Sequence, residues 1–179
     1  MALTATIYHF TVRLSDVDRG VYETLELKVA RHPSESEEYL VTRMLAYCLE
    51  YAEGIAFSRG LSDPDEPAIA VRDLTGALKT WIEVGSPDAA RLHKAAKAAP
   101  RVAVYTHKDP AQLARSLEGE RIHRAEALEL YSLGRELVAA LVKRLARRND
   151  LDLSVTDRHL YVTMAGESVS AELERIGNY

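Results

Sequence analysis

The middle of the chain predicts an α/β fold, and its two ends predict an added antiparallel layer. In the middle, apolar strand-forming runs at residues 79–84 and 102–106 flank a helical pattern at 86–99, the alternation expected of strands in a sheet covered by helices. Near the start, two alternating segments, 4–14 and 22–30, surround the turn sequence Asp16-Val17-Asp18-Arg19-Gly20 and read as a β-hairpin. Near the end, residues 151–155, 159–164 and 168–176 read as two or three further antiparallel strands. The fold class expected is therefore an α/β core, a central sheet with helices packed on it, plus an antiparallel layer built from the terminal hairpins.

Each element follows from its residues. Leu25, Leu27 and Val29 share one face of the second strand. After Arg31-His32-Pro33, the Ser34 to Glu37 spacing fits a capping box, and a helix should run to about Glu53, closed by Gly54. Val41, Met44, Leu45, Cys48 and Ala52 are its apolar stripe. Glu38 falls at the edge of that stripe and Glu35 further toward solvent. Residues 55–57 suit a short strand, 58–67 a turn-rich loop, and 68–73 either a strand or a helix. Trp81, Ile82 and Val84 make 79–84 the central strand, with Glu83 among them, ended by Gly85. Ser86 is placed to cap the next helix and Pro87 fits its first position. A short helix at 110–117, a strand in the second half of 122–133 (though 125–130 alone would also suit a helix) and an amphipathic helix at 135–148 complete the middle. Leu137, Leu141 and Leu145 form the buried face of that last helix, and Lys143, Arg144, Arg147 and Arg148 its basic end.

The chain has 179 residues, 47% hydrophobic and 28% charged, which suits one globular domain over residues 1–179. No apolar run reaches the roughly 18 residues of a membrane span, and the first residues lack a signal-peptide pattern. The single cysteine, Cys48, reads as a small core residue. These features point to a cytoplasmic protein. A net charge of -4 disfavours bulk coating by nucleic acid but allows a local basic groove.

The residues that suggest chemistry are Glu38 with Glu35, Asp65-Glu66, Glu83, and Arg91 with Lys94. Glu83 would be costly to bury in an apolar strand without a partner. Two carboxylates converging with a lysine can hold Mg²⁺ and activate water beside a phosphodiester. Each residue also has a plainer reading. Glu38 can be a solvated edge residue, Asp65-Glu66 a turn before Pro67, Arg31 and Arg59 loop anchors, and Lys94 a solvated helix charge. Trp81 suits a core better than a base-stacking platform, and the histidines show no metal-ligand spacing.

Several stretches together resemble the YaeQ family of bacterial proteins: Arg31-His32-Pro33-Ser34-Glu35, Phe57-Ser58-Arg59-Gly60-Leu61, Asp65-Glu66-Pro67, and Trp81-Ile82-Glu83-Val84-Gly85-Ser86-Pro87-Asp88 with Arg91 and Lys94. The resemblance implies a variant of the PD-(D/E)xK nuclease fold, with a four-stranded mixed sheet between helices, and Mg²⁺ as cofactor. On that pattern Asp65 matches the first acid, with Glu66 competing for the role, and Glu83 matches the second. Both acids would be metal ligands. The pattern's lysine is missing, because Gly85 stands in its place. Lys94 on the following helix is the candidate replacement, and Glu38 matches the helix acid that completes such sites. Arg91, Arg31 and Arg59 would then hold phosphate. The functions implied are a Mg²⁺-dependent phosphodiesterase or nuclease acting on nucleic acid, or a non-catalytic module that keeps the fold and binds nucleic acid or protein.

Overall fold

The structure is a computed structural model that describes residues 4–58 and 65–177. The chain opens with the expected hairpin: β1 (Thr6–Asp16) pairs antiparallel with β2 (Val21–Arg31). Alternation sends Phe10, Val12 and Leu14 of β1 and Leu25, Leu27 and Val29 of β2 into one core.

The first helix, α1 (Glu37–Leu49), begins later than the capping box suggests. Ser36 is its cap, accepting from the Tyr39 amide at 3.0 Å. Ser34 is instead engaged by His32 Nδ1 at 2.9 Å, and the Glu35 carboxylate accepts from the His32 amide at 2.8 Å. These local bonds hold residues 32–35 in a turn and postpone the helix. Every residue from Leu40 to Leu49 except Tyr47 is buried. A helix apolar nearly all round is one covered on several sides, and α1 lies between two sheets.

The remaining elements are β3 (Ile55–Phe57), β4 (Ile69–Arg72), β5 (Leu78–Val84), α2 (Ala89–Ala98), β6 (Arg101–Thr106), α3 (Pro110–Leu117), β7 (Glu129–Ser132), α4 (Arg135–Lys143), β8 (Arg148–Thr156), β9 (His159–Met164), β10 (Glu167–Glu172) and β11 (Glu174–Arg175). The ambiguous 68–73 stretch is a strand, held between β3 and β5 with Ile69 fully buried. Further expectations are corrected. The first helix ends at Leu49, with Glu50 as its C-cap, rather than at about Glu53. Asp88, not Ser86, caps α2, its carboxylate accepting from the Arg91 amide at 2.8 Å. The fourth helix stops at Lys143, so Arg147 and Arg148 do not form its basic end. The helical period continues into a segment whose alternation wins: Asn149, Leu151, Leu153 and Val155 are buried on one side of β8. Asn149 fixes the transition by bonding both the Ala146 amide and the Ala146 carbonyl, at 2.8 and 2.7 Å.

One sheet has the order β10-β9-β8-β1-β2 and the other β11-β7-β6-β5-β4-β3. The terminal strands do form their own layer, but it is mixed rather than antiparallel, because β8 enters beside β1 in the same direction. β11 leaves that layer and pairs with β7 in the six-stranded sheet. Within this second sheet β5, β6 and β7 are parallel. The resemblance implied four strands; among the described residues the sheet has six.

Alternation along β5 divides two cores. Ile82 and Val84 face the larger one, which fills the space between the sheets around α1 and α4. Trp81 joins the smaller one beneath α2 and α3, with Leu92, Ala95, Val102, Val104 and Leu113. Cys48 is enclosed in the larger core, and burial pushes its thiol up to about 12. This makes it an inert packing residue.

Gly54 precedes β3 at φ +88°, and a Cβ there would sit inside the Arg72 carbonyl oxygen. That close approach accompanies the Arg72 amide donating to the Gly54 carbonyl at 3.0 Å. Gly54→Ala is expected to lower stability by about 2 kcal/mol, combining left-handed strain with displacement of a short edge strand. Urea unfolding measures it; a loss below about 0.5 kcal/mol would mean that β3 moves aside freely.

Candidate functional site

β5 and β6 run parallel and end side by side, and a cleft of roughly 670 Å³ opens beyond their C-terminal ends. This is the edge at which open α/β sheets commonly bind ligands. Gly85, at φ +94°, turns the chain out of β5 toward α2, while its amide still donates to Tyr105 O at 2.9 Å. The start of α1 forms the facing wall, bringing Tyr39 and Arg43 to the cleft.

Glu83 is buried on the Trp81 side of β5, with a side chain 7% exposed. Arg91, in the first turn of α2, grips it with two nitrogens: Nε to Oε2 at 2.8 Å and Nη2 to Oε1 at 2.9 Å. Trp81 Nε1 donates to Oε1 at 2.7 Å. The Glu83 bonds hold the Arg91 guanidinium above its usual pKa. Arg91 also donates to the Glu66 carbonyl at 2.7 Å, tying the 65–66 segment to the end of the central strand.

The other sequence-derived residues are distributed around this pair. Lys94 forms an ion pair with Asp65, not with Glu83, and Asp65 is 73% exposed. Glu66, rather than Asp65, lines the cleft. Glu38 lines a separate depression with His107, Lys108 and Arg135. Glu35 lines the main cleft, whereas the sequence placed it further toward solvent. Arg31 is half-buried at the end of β2, and its Nε is buried without a hydrogen-bond partner among the described residues. Arg59 lies outside the described residues. Glu83 accepts three hydrogen bonds, two at Oε1 and one at Oε2, so Mg²⁺ there would share the carboxylate with Arg91. Among the described residues no group of three or more His, Cys, Asp or Glu could hold a metal ion.

Sequence reasoning missed Arg43, His107, Lys108 and Tyr39. Arg43 is 4% exposed and has no carboxylate partner among the described residues. Its nitrogens donate to the carbonyls of Ala30, Ser58 and Ala68 at 3.2–3.4 Å, and its guanidinium stacks 4.9 Å from the Phe57 ring. Burial lowers its pKa and raises that of the Tyr39 hydroxyl. His107 follows β6; burial and then Lys108 lower its pKa, and its Nδ1 is buried without a partner among the described residues. The available signal was Arg43 itself, a cation within the apolar run of α1. His107 and Lys108 gave none, because only the pairing of β6 with β5 brings them to the cleft.

These features define an α/β protein with two mixed sheets and a polar cleft at the carboxyl ends of its parallel strands. The model of the YaeQ protein family matches residues 1–173, and the chain belongs to that family. It is 32% identical over 174 residues to the uncharacterized protein YaeQ of Salmonella typhi, covering 97% of this chain and 96% of that one. It is 44% identical over 112 residues to the uncharacterized protein YaeQ of Escherichia coli K12. That match spans 62% of this chain and 61% of the Escherichia coli protein. The crystal structure of the YaeQ protein from Pseudomonas syringae superposes with a TM-score of 0.85 at 31% identity, over 98% of this chain and 97% of that one. The YaeQ protein from Xanthomonas axonopodis pv. citri gives 0.84 at 31% identity, over 97% of both chains. No helix among the described residues is long and apolar enough to cross a membrane.

Proposed function

We propose that this chain acts as one unit and is a non-catalytic binding module whose cleft takes anionic groups of a single-stranded nucleic acid. One observation carries the reading. The acid at the end of the central strand is held by Arg91 and Trp81, whereas Arg43 and Lys108 line the same cleft and form no salt bridge among the described residues. A paired carboxylate beside two cations that form no ion pair among the described residues favours recognition of an anion over coordination of a cation, with Glu35 and Glu66 as the opposing charges in the same cleft. Tyr39 offers an aromatic edge at the same wall.

A second reading is the Mg²⁺-dependent nuclease with Asp65 and Glu83 as ligands, Lys94 and Glu38 beside them, and Arg91 and Arg31 on phosphate. What favours it is that Arg91 joins the Glu66 main chain to Glu83, which holds the 65–66 segment at the end of the central strand. Mg²⁺ would supply Lewis-acid chemistry at that point.

The test is fluorescence anisotropy with a labelled single-stranded oligonucleotide, run beside cleavage assays on single- and double-stranded DNA and RNA. Binding is expected to persist in EDTA, fall steeply with salt, and weaken at least about tenfold in Arg43→Gln. Cleavage that requires Mg²⁺ or Mn²⁺ and disappears in Glu83→Gln would establish the nuclease reading instead. Absence of both binding and cleavage would refute both.

A further inference from the structure

A second cleft, of roughly 550 Å³, opens at the other end of the parallel strands, between the tips of the two sheets. Thr80 and Arg101 near the starts of β5 and β6 line one side, and the ends of the β1–β2 and β8–β9 hairpins line the other. Nothing in the preceding proposal uses it.

The carboxylates along this cleft are engaged within the protein. Asp16 binds Arg19 at 2.7 Å. Asp18 accepts the amides of Asp157 and Arg158 at 2.8 and 2.9 Å. Glu50 takes Arg101 at 2.6 and 3.0 Å and the Tyr105 hydroxyl at 2.6 Å. Two arginines at the rim are different. Arg158 donates one nitrogen to Leu173 O and Arg175 donates one to Leu128 O, each at 3.1 Å, and neither forms a salt bridge among the described residues, Arg175 acting on Glu129 only from a longer distance. The Leu173 amide returns a bond to Arg158 O at 2.7 Å, so the chain leading to Arg175 is fastened beside Arg158. The Arg175 guanidinium is further fixed 5.3 Å from the Tyr131 ring.

Arg158 also occupies a costly position. It and Asp157 form the two-residue turn of the β8–β9 hairpin, at φ +61° and +50°. Asn and Gly ordinarily fill such turns, because a side chain there is strained. An arginine held in this conformation by the Asp18 carboxylate points to a use for its guanidinium. Two planar guanidinium groups, each with unused donors, suit a tetrahedral dianion. Leu49, Val71 and Val155 give the cleft an apolar wall for an attached uncharged body.

We propose that Arg158 and Arg175 form a binding site for a phosphate group, either free or carried as the monoester of a small molecule seated in this second cleft.

The experiment is a ¹⁵N–¹H NMR titration of the intact protein at low ionic strength with inorganic phosphate, a nucleoside monophosphate and the parent nucleoside. Saturable shifts of the amides around residues 157–158 and 173–175 are expected with the phosphorylated probes and not with the nucleoside. A tighter monophosphate assigns the site to monoesters, and equal affinities assign it to free phosphate. Arg158→Gly and Arg175→Gln should each weaken binding by at least about tenfold. Glycine suits the positive φ, so Arg158→Gly should leave the thermal midpoint unchanged or higher, which separates lost binding from lost folding. Arg13→Gln, on the outer face of the five-stranded sheet, should change nothing in the titration. No saturable shift, shifts centred on His107 and Lys108, or affinities indifferent to both arginine substitutions would overturn the proposal.

Discussion

Replacing Arg101 by methionine is expected to destabilise the protein by about 3 kcal/mol at neutral pH. Arg101 opens β6 and makes four hydrogen bonds to two carboxylates, two to Glu50 and two to Glu129. Glu50, the C-cap residue of α1, has a side chain only 8% exposed, and Glu129 opens β7. One guanidinium thus ties a helix and two parallel strands together. Tyr105 and Tyr131 donate to the same carboxylates at 2.6 and 2.7 Å and stack with ring centres 5.1 Å apart. Methionine matches the stem but leaves two acids side by side without the cation that bridges them. Partial exposure of Arg101, at 37%, places the cost at the lower end of the range of about 3–5 kcal/mol for breaking a buried pair.

The pH dependence follows. Burial pushes the Glu129 carboxyl up, but the bonds from Arg101 and Tyr131 outweigh it and hold it below the ordinary value of 4.5. A depressed folded-state pKa contributes stability that is fully present above the unfolded value. That stability is lost as pH falls through the folded value. The wild type should therefore lose stability on acidification below about pH 4.5, and the gap between wild type and Arg101→Met should narrow over the same window. Urea unfolding from pH 7 to pH 3.5 measures both. Adding Glu50→Gln to Arg101→Met should restore part of the loss. A loss below about 1 kcal/mol at pH 7, or a gap independent of pH, would mean that water replaces the guanidinium without difficulty.

Glu83→Gln is expected to cost about 2–3 kcal/mol. The amide retains an acceptor for Trp81 or Arg91 but presents an N–H₂ group to donors on the other side. It also removes the charge that balances a guanidinium only 27% exposed. The measurement is urea unfolding of wild type and variant, each with and without Mg²⁺. With Glu83 held as an ion pair, Mg²⁺ leaves the wild type unchanged, and Arg91→Gln in the same background recovers part of the loss. If Glu83→Gln instead retains or gains stability, and Mg²⁺ stabilises the wild type alone, Glu83 is a metal ligand and the binding-module reading falls.

The sequence by itself determined the strands and helices wherever a single period ran cleanly. The terminal hairpin, 79–84, 102–106 and 110–117 follow from alternation, proline placement and apolar runs, because these patterns reflect which side of an element meets the core. It also singled out Glu83, since a carboxylate between Trp81 and Val84 needs a partner whatever the fold. Element ends were less legible. Ser34 against Ser36, and Ser86 against Asp88, are choices among equivalent capping residues, decided by which side chain the neighbouring turn has already used. The end of α4 was hidden because a helical stripe runs into an alternating strand.

Only the tertiary structure decided partners. It gave Glu83 to Arg91 and Asp65 to Lys94, where spacing along the chain allowed either assignment. It brought His107 and Lys108 to Arg43 across the parallel pairing of β5 and β6. It placed β8 beside β1, over a hundred residues apart in the chain, making the terminal layer mixed. Local sequence specifies how each backbone segment buries its own apolar side. Which charges meet depends on strand order and register, and these are fixed by the summed packing of segments that share no local signal.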